Sequence, residues 1–267
     1  MKINGFRGVS LVVCALTMLL LLPAFAAAET ALPLKANALI KKLDKAISAD
    51  DSALVERIVR VLVVLGPRAH KSLKRALKRS DSARLTVLLD AVGRMAPKMR
   101  LLARPYLGHA DAVIRVRAAA AIDGADARVL MAALASEHNK LAQYAIVRSI
   151  ASSEEAMVDQ FLAGQLQSPD AERRISGIQG LKARGSTGAL ADLYAALRDP
   201  QPLVRHAGIE AVAALGDVGA VRALLDLVSI EDDSRNVAAI WQAVKQMTGQ
   251  QLPQEPDAWF RWLDSGT

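Results

Sequence analysis

Cysteine is almost missing from this 267-residue chain: Cys14 is the only one, and it lies in an apolar stretch near the N-terminus. Beyond that stretch the chain has no disulfide and no thiol chemistry, which suits an oxidising compartment without requiring one. Aromatic residues are scarce at 4%, and β-branched runs are few, which argues against a sheet protein. The four histidines, His70, His109, His138 and His206, lie far apart, and no H-E-x-x-H, cysteine pair or clustered aspartate run occurs. Metal sites are therefore unsupported. G-x-S-x-G, a P-loop and G-x-G-x-x-G are lacking too, which removes the common signatures of acyl transfer and of nucleotide binding. The expectation is a non-catalytic chain with no cofactor.

What the chain has in quantity is apolar surface, 52% of its residues, with alanine and leucine dominant. Small side chains let helices pack closely. The clearest unit runs from Asp199 to Val228. Asp199 and Pro200 suit a helix entry, and Val204, Ala207, Ala211, Val212 and Leu215 follow at helical spacing. Gly216 ends that helix, and Val221, Leu224, Leu225 and Val228 begin a second apolar stripe. Neither helix can bury its stripe alone. A shift of 31 residues brings Ser168-Pro169 under Asp199-Pro200, Arg174 under Arg205 and Gly185 under Gly216. Further upstream, Asp51, Asp81 and Asp111 open units 30 residues apart. Six places after each opening stand Arg57, Val87, Arg117, Arg174 and Arg205, and Arg235 follows Ser229 by the same six. A fixed period of about 30 with paired helices predicts an all-α protein, an α-solenoid.

The run Asp-Pro-x-x-x-Val-Arg-x-Ala-x-x-x-Ala-x-x-x-Leu-Gly, Asp199 to Gly216, resembles the bacterial HEAT-like repeat, a type also found in phycobilin lyases. The resemblance spans roughly Asp51 to Gly249 and is strongest in the last three units. It implies hydrogen-bonded ladders of aspartate and arginine between neighbouring repeats, with the arginine-bearing helices on the concave side. Carried over, the ladder would use Asp51, Asp111 and Asp199 with Arg57, Arg117, Arg174, Arg205 and Arg235, broken at Val87. About seven helix pairs are expected. The arginine-type helices fall near 52–65, 82–94, 112–123, 139–151, 170–183, 202–215 and 234–247. Their partners fall near 32–48, 67–78, 96–107, 125–135, 154–166, 187–198 and 218–229.

The two ends break the period. Residues 1–28 read as a signal peptide, with Lys2 and Arg7, an apolar core from Val9 to Leu22 and an alanine run before Glu29. The rival reading is an uncleaved anchor, since Val9 to Ala28 is long enough to span a membrane. Residues 29–250 form the solenoid and 251–267 a C-terminal cap, in which Trp259 and Trp262 cover the exposed end of the stack. The expected location is therefore outside the cytoplasm, periplasmic or secreted.

Charge is unevenly spread. Residues 29–108 carry 17 Lys and Arg against 7 Asp and Glu, and residues 109–267 carry 15 against 20. The densest run is Arg68 to Arg79, where Lys71, Lys74, Arg75 and Lys78 share one side of a helix opposite Ala69, Leu73, Ala76 and Leu77. This face is either a solvated surface or a docking face for an anionic partner. A second candidate is a polar strip of Gln179, Lys182, His206 and Glu210 on two successive arginine-type helices. The leading expectation is an exported scaffold that binds another protein, or else an anionic lipid or envelope polymer. Nucleic acid fits the charge but not the export signal. A lyase-type HEAT-like enzyme or an envelope-structural protein are the alternatives.

Overall fold

The structure, a computed structural model, describes residues 35–215 and 219–266. The expected signal peptide, the expected start of a mature chain at Glu29 and the expected helix stop at Gly216 lie outside the described residues. Among the described residues there is no strand; the fold is all-α and built on the α-solenoid plan. No described helix is long and apolar enough to cross a membrane.

Helix entry follows one chemical rule. Asp51, Asp81, Asp111, Asp126, Asn139, Asp170 and Asp233 each sit just before a helix and accept a hydrogen bond from a backbone N–H of its first turn. A carboxylate there satisfies an otherwise orphaned donor and meets the positive end of the helix. These residues set the period of the chain.

The chain divides after Leu102 into two compact units. The first holds α1 (35–48), α2 (Ser52–Leu65), α3 (His70–Lys78), α4 (Ser82–Gly93) and α5 (Pro97–Arg100). In it α2 and α3 both pack on α4, and Leu43, Leu62, Leu73, Leu88 and Leu89 are fully buried. Arg84 of α4 pairs with Asp44 of α1, and Arg94 reaches Glu56 of α2 at 2.9 Å.

The second unit holds α6 (Ala112–Ile122), α7 (Ala127–Ser136), α8 (Lys140–Ala151), α9 (Met157–Gln165), α10 (Ala171–Arg184), α11 (Leu190–Ala196), α12 (Pro202–Leu215), α13 (Ala220–Val228), α14 (Ser234–Thr248) and α15 (Pro256–Asp264). The helices α6, α8, α10, α12 and α14 stack on one another in that order. Each of α7, α9, α11 and α13 packs against the even-numbered helix that follows it. The two layers meet along buried residues such as Ile146, Leu162, Leu181, Val212 and Leu224. One crossing is unusually close: a Cβ on Gly177 of α10 would lie 2.7 Å from the Leu162 carbonyl of α9.

The expected helix pairs recur with boundaries shifted by a few residues, and one partner helix differs in kind. Where a helix over 96–107 was expected, α5 lasts four residues and continues as a 3₁₀ segment, Leu101–Gly108, that contains Pro105. Proline supplies no N–H and crowds the turn before it, so a regular α-helix does not pass through. The division of the chain falls inside this segment.

At the C-terminus α15 packs on α13. Trp259 is fully buried, and its indole N–H donates to the Pro253 carbonyl at 2.6 Å. Trp262 meets it edge to face, with ring centres 6.2 Å apart, and stays half-buried.

Candidate functional site

The periodic arginines have to be separated from the residues free to bind. Arg115, Arg174 and Arg205 each stand four residues after the residue that precedes their helix, Asp111, Asp170 and Gln201. Each guanidinium turns one Nη1 towards two carbonyls of its own entry turn. Arg115 reaches His109 and Ala110 at 2.8 and 2.9 Å, Arg174 reaches Ser168 and Pro169 at 2.9 and 3.1 Å, and Arg205 reaches Asp199 and Pro200 at 2.9 and 3.3 Å. The other side of each fork grips a carboxylate of the next repeat with two bonds. Arg115 takes Glu137 at 2.6 and 2.9 Å, Arg174 takes Asp199 at 2.7 and 2.9 Å, and Arg205 takes Glu231 at 2.7 and 2.6 Å. Bidentate charge-assisted pairs of this kind fix orientation as well as distance.

Both glutamates respond to it. The Arg205 guanidinium, above all, brings the Glu231 carboxyl down to about 2, helped by the Asp233 backbone N–H and the Asn236 amide and opposed by burial. Arg115 likewise holds Glu137 below its usual range.

Five expected ladder positions are corrected by this geometry. Arg57 and Arg117 are exposed, and Arg235 is largely exposed and folds back on Asp233, the cap of its own helix, at 2.8 Å. Asp51 and Asp111 are not ladder acids either; they cap α2 and α6. A count of six from the aspartate works at Asp199, which stands two residues before the capping position. Asp51 and Asp111 are themselves caps, so the same count overshoots by two residues and turns about 200° away from the repeat interface. Counted correctly, the position holds Val55 in α2, Leu85 in α4, Val237 in α14 and Gln143 in α8. Gln143 keeps half of the role, since its amide donates to the Glu137 carbonyl six residues earlier at 2.7 Å. The signal that would have found Glu137 and Glu231 is an acid two residues ahead of the cap.

The polar strip is brought together. Lys182 of α10 meets Glu210 of α12 at 2.9 Å, and His206 lies 3.5 Å from the same carboxylate. The other imidazole nitrogen, Nδ1, is 3.0 Å from Oδ1 of Asn236 on α14. The Asn236 amide nitrogen already donates to Pro202 and Glu231, so its oxygen is the acceptor. Nδ1 therefore donates to Asn236, and Nε2 faces Glu210. Gln179 is exposed beside Lys182.

These side chains line two adjoining grooves that share Lys182 and Glu210. One, of about 240 Å³, is completed by Tyr144, Arg148 and Gln179. The other, of about 580 Å³, is completed by His206, Arg235, Gln242 and Gln246 over a floor of Ala213, Ala214, Ala238, Ala239 and Ala243. Four of the lining residues form a row. Arg148, Gln179, Glu210 and Gln242 each stand nine residues after the position that precedes their helix, and all four are exposed. Sequence reasoning found two of the four. The register of the caps would have found the others. Among the described residues, His, Cys, Asp and Glu nowhere gather in a group able to hold a metal ion.

The basic face lies in the first unit. Lys71, Lys74, Arg75 and Lys78 are exposed along α3, and Ser72, Leu73, Ala76 and Leu77 are buried on its opposite side. Five of the six described acids of this unit are engaged elsewhere: Asp44 with Arg84, Glu56 with Arg60 and Arg94, Asp90 with Arg94, and Asp51 and Asp81 at helix caps.

Residues 158–245 match the family model for HEAT repeats. That segment runs from α9 into α14 and contains Arg174 and Arg205 of the ladder and Gln179, Glu210 and Gln242 of the polar row. The matched segment thus coincides with a run of regularly stacked helices in the second unit. No curated protein matches the chain. Among solved structures, a computationally designed self-assembling cyclic homooligomer aligns over 85% of this chain and 83% of its own, at 14% identity and a TM-score of 0.17. At that score the likeness says nothing further about this chain.

Proposed function

We propose that the protein is a non-catalytic HEAT-repeat scaffold, exported to the cell envelope, that holds a protein partner along the polar row of α8, α10, α12 and α14. The observation that carries this reading is the row itself. Each of four successive helices contributes one long polar side chain, Arg148, Gln179, Glu210 and Gln242, beside a floor of alanines. The ladder arginines are bound to their carboxylates and hold the repeats together. Arg148, Gln179 and Gln242 have no comparable structural task, and an amide with both donors and acceptors suits an exposed peptide backbone. Export rests on the N-terminal segment of the sequence.

The test is affinity capture from envelope fractions with the wild-type chain and with a variant carrying Gln179→Ala, Lys182→Ala and Gln242→Ala. A partner retained by the wild type and lost by the variant, at unchanged helical circular dichroism, is the expected result. Capture of the same partner by both would place the binding surface elsewhere.

A further inference from the structure

The basic face of α3 is independent of the groove, and its composition points to a different kind of partner. Its exposed side chains Lys71, Lys74, Arg75 and Lys78 are all cationic, and none has an ion pair or side-chain hydrogen bond among the described residues. The helix beneath them is anchored by Leu73 and Leu77, which are buried on the other side against α4. The cations therefore line about 10 Å along a helix of nine residues.

A protein interface of useful strength is centred on aromatic or aliphatic anchors that fill pockets. This face offers none. Three of its four cations are lysines, whose ammonium groups act as mobile point charges, whereas arginine favours fixed bidentate partners. The background field adds to it: residues 35–102 carry 16 Lys and Arg against 6 Asp and Glu, while residues 103–266 carry 16 against 20. Attraction to a negative surface is thus confined to the unit that bears α3.

We infer that the α3 face docks the protein onto the surface of an anionic phospholipid bilayer. The headgroups supply a dense, fluid array of negative charge that needs no matching pocket. Without an exposed aromatic or leucine to insert, attachment is electrostatic, reversible and superficial. Each cation near such a surface strengthens partitioning about five-fold, so reversal of three should weaken it more than about 100-fold. Screening acts the same way, because the Debye length shortens from about 10 Å at 0.1 M salt to about 3 Å at 1 M.

The experiment is co-sedimentation of the soluble purified protein with vesicles of phosphatidylcholine alone or with about one third phosphatidylglycerol. The wild type should bind only the anionic vesicles and be released by 0.5 M salt, a concentration at which the screening length is about 4 Å. Lys71→Glu with Arg75→Glu and Lys78→Glu should abolish binding at unchanged circular dichroism. A milder variant, glutamine at the same three positions, should lose most of it and guards against a folding failure of the first. Arg148→Glu, in the groove of the other unit, should bind vesicles like the wild type, so this result is read separately from capture of the protein partner. Equal binding to neutral vesicles, or anionic binding that survives both triple variants, would overturn the inference. So would failure to bind vesicles with tight binding to duplex DNA or dextran sulfate, which would assign the face to a polymer.

Discussion

Arg205 and Arg222 show how far burial separates two arginine–carboxylate ion pairs. Both hold a carboxylate at 2.6 Å, but the Arg205 side chain is 13% exposed and its Glu231 partner 0%, against 56% for Arg222 and 65% for Asp264. Removal of one partner of a buried pair strands a charge and costs about 3–5 kcal/mol, whereas an exposed pair is worth about 0–1 kcal/mol. Arg205→Ala should therefore lower the urea midpoint well below that of Arg222→Ala. The corrected register makes a parallel case: Arg115→Ala should destabilise strongly and Arg117→Ala hardly at all. The same pairs make stability depend on acid. Glu231 has its folded pKa lowered from 4.5 to about 2, so its contribution is complete above its unfolded value and disappears as the pH falls from 4.5 towards 2. The urea midpoint should drop across that window, and Glu231→Gln should flatten the part of the drop that Glu231 causes.

Among the elements, the crossing of α9 and α10 leaves no room for a side chain at Gly177. A methyl group at Gly177 would lie 2.7 Å from a backbone carbonyl, which cannot swing aside as a side chain can. Gly177→Ala removes an unfavourable helical glycine yet forces the two helices apart, and overpacking of that kind costs about 1–3 kcal/mol. The net effect should be a lower melting temperature, whereas Gly164→Ala, which meets nothing within 4 Å, should leave it level or raise it. The last helix is expected to be just as sensitive. Trp259 is fully buried and fixed by its bond to Pro253, so Trp259→Ala should cost about 3–5 kcal/mol. In a stack held by neighbours, that loss should appear first as faster amide exchange in α13 and α15.

On the scale of the whole molecule, the prediction concerns the N-terminus. If the positive start, apolar core and alanine run of residues 1–28 direct export and cleavage, N-terminal sequencing of the protein recovered outside the cytoplasm should begin near Glu29. A chain that still starts at Met1 and stays with the membrane would instead support the anchor.

The repeat and the helix pairs could be read from the sequence because each depends on residues close together along the chain. Apolar spacing of three and four defines a helix face, and an aspartate before it satisfies a backbone N–H whatever lies beyond. The ladder could be read only in part. Arg174 and Asp199 stand 25 residues apart, and Arg205 and Glu231 stand 26 apart. Whether such residues meet depends on how one repeat is seated on the next. A count that shifts by two residues sends Arg117 to solvent while Arg115 takes Glu137. Half of the groove row escaped for the same reason. Arg148 and Gln242 are unremarkable as single residues, and only the stacking of four helices aligns them with Gln179 and Glu210. The sequence by itself determined which segments are helical and which side of each is apolar. The tertiary structure decided which polar side chains face each other across repeats, because that requires the rotation and offset between helices, which local spacing does not contain.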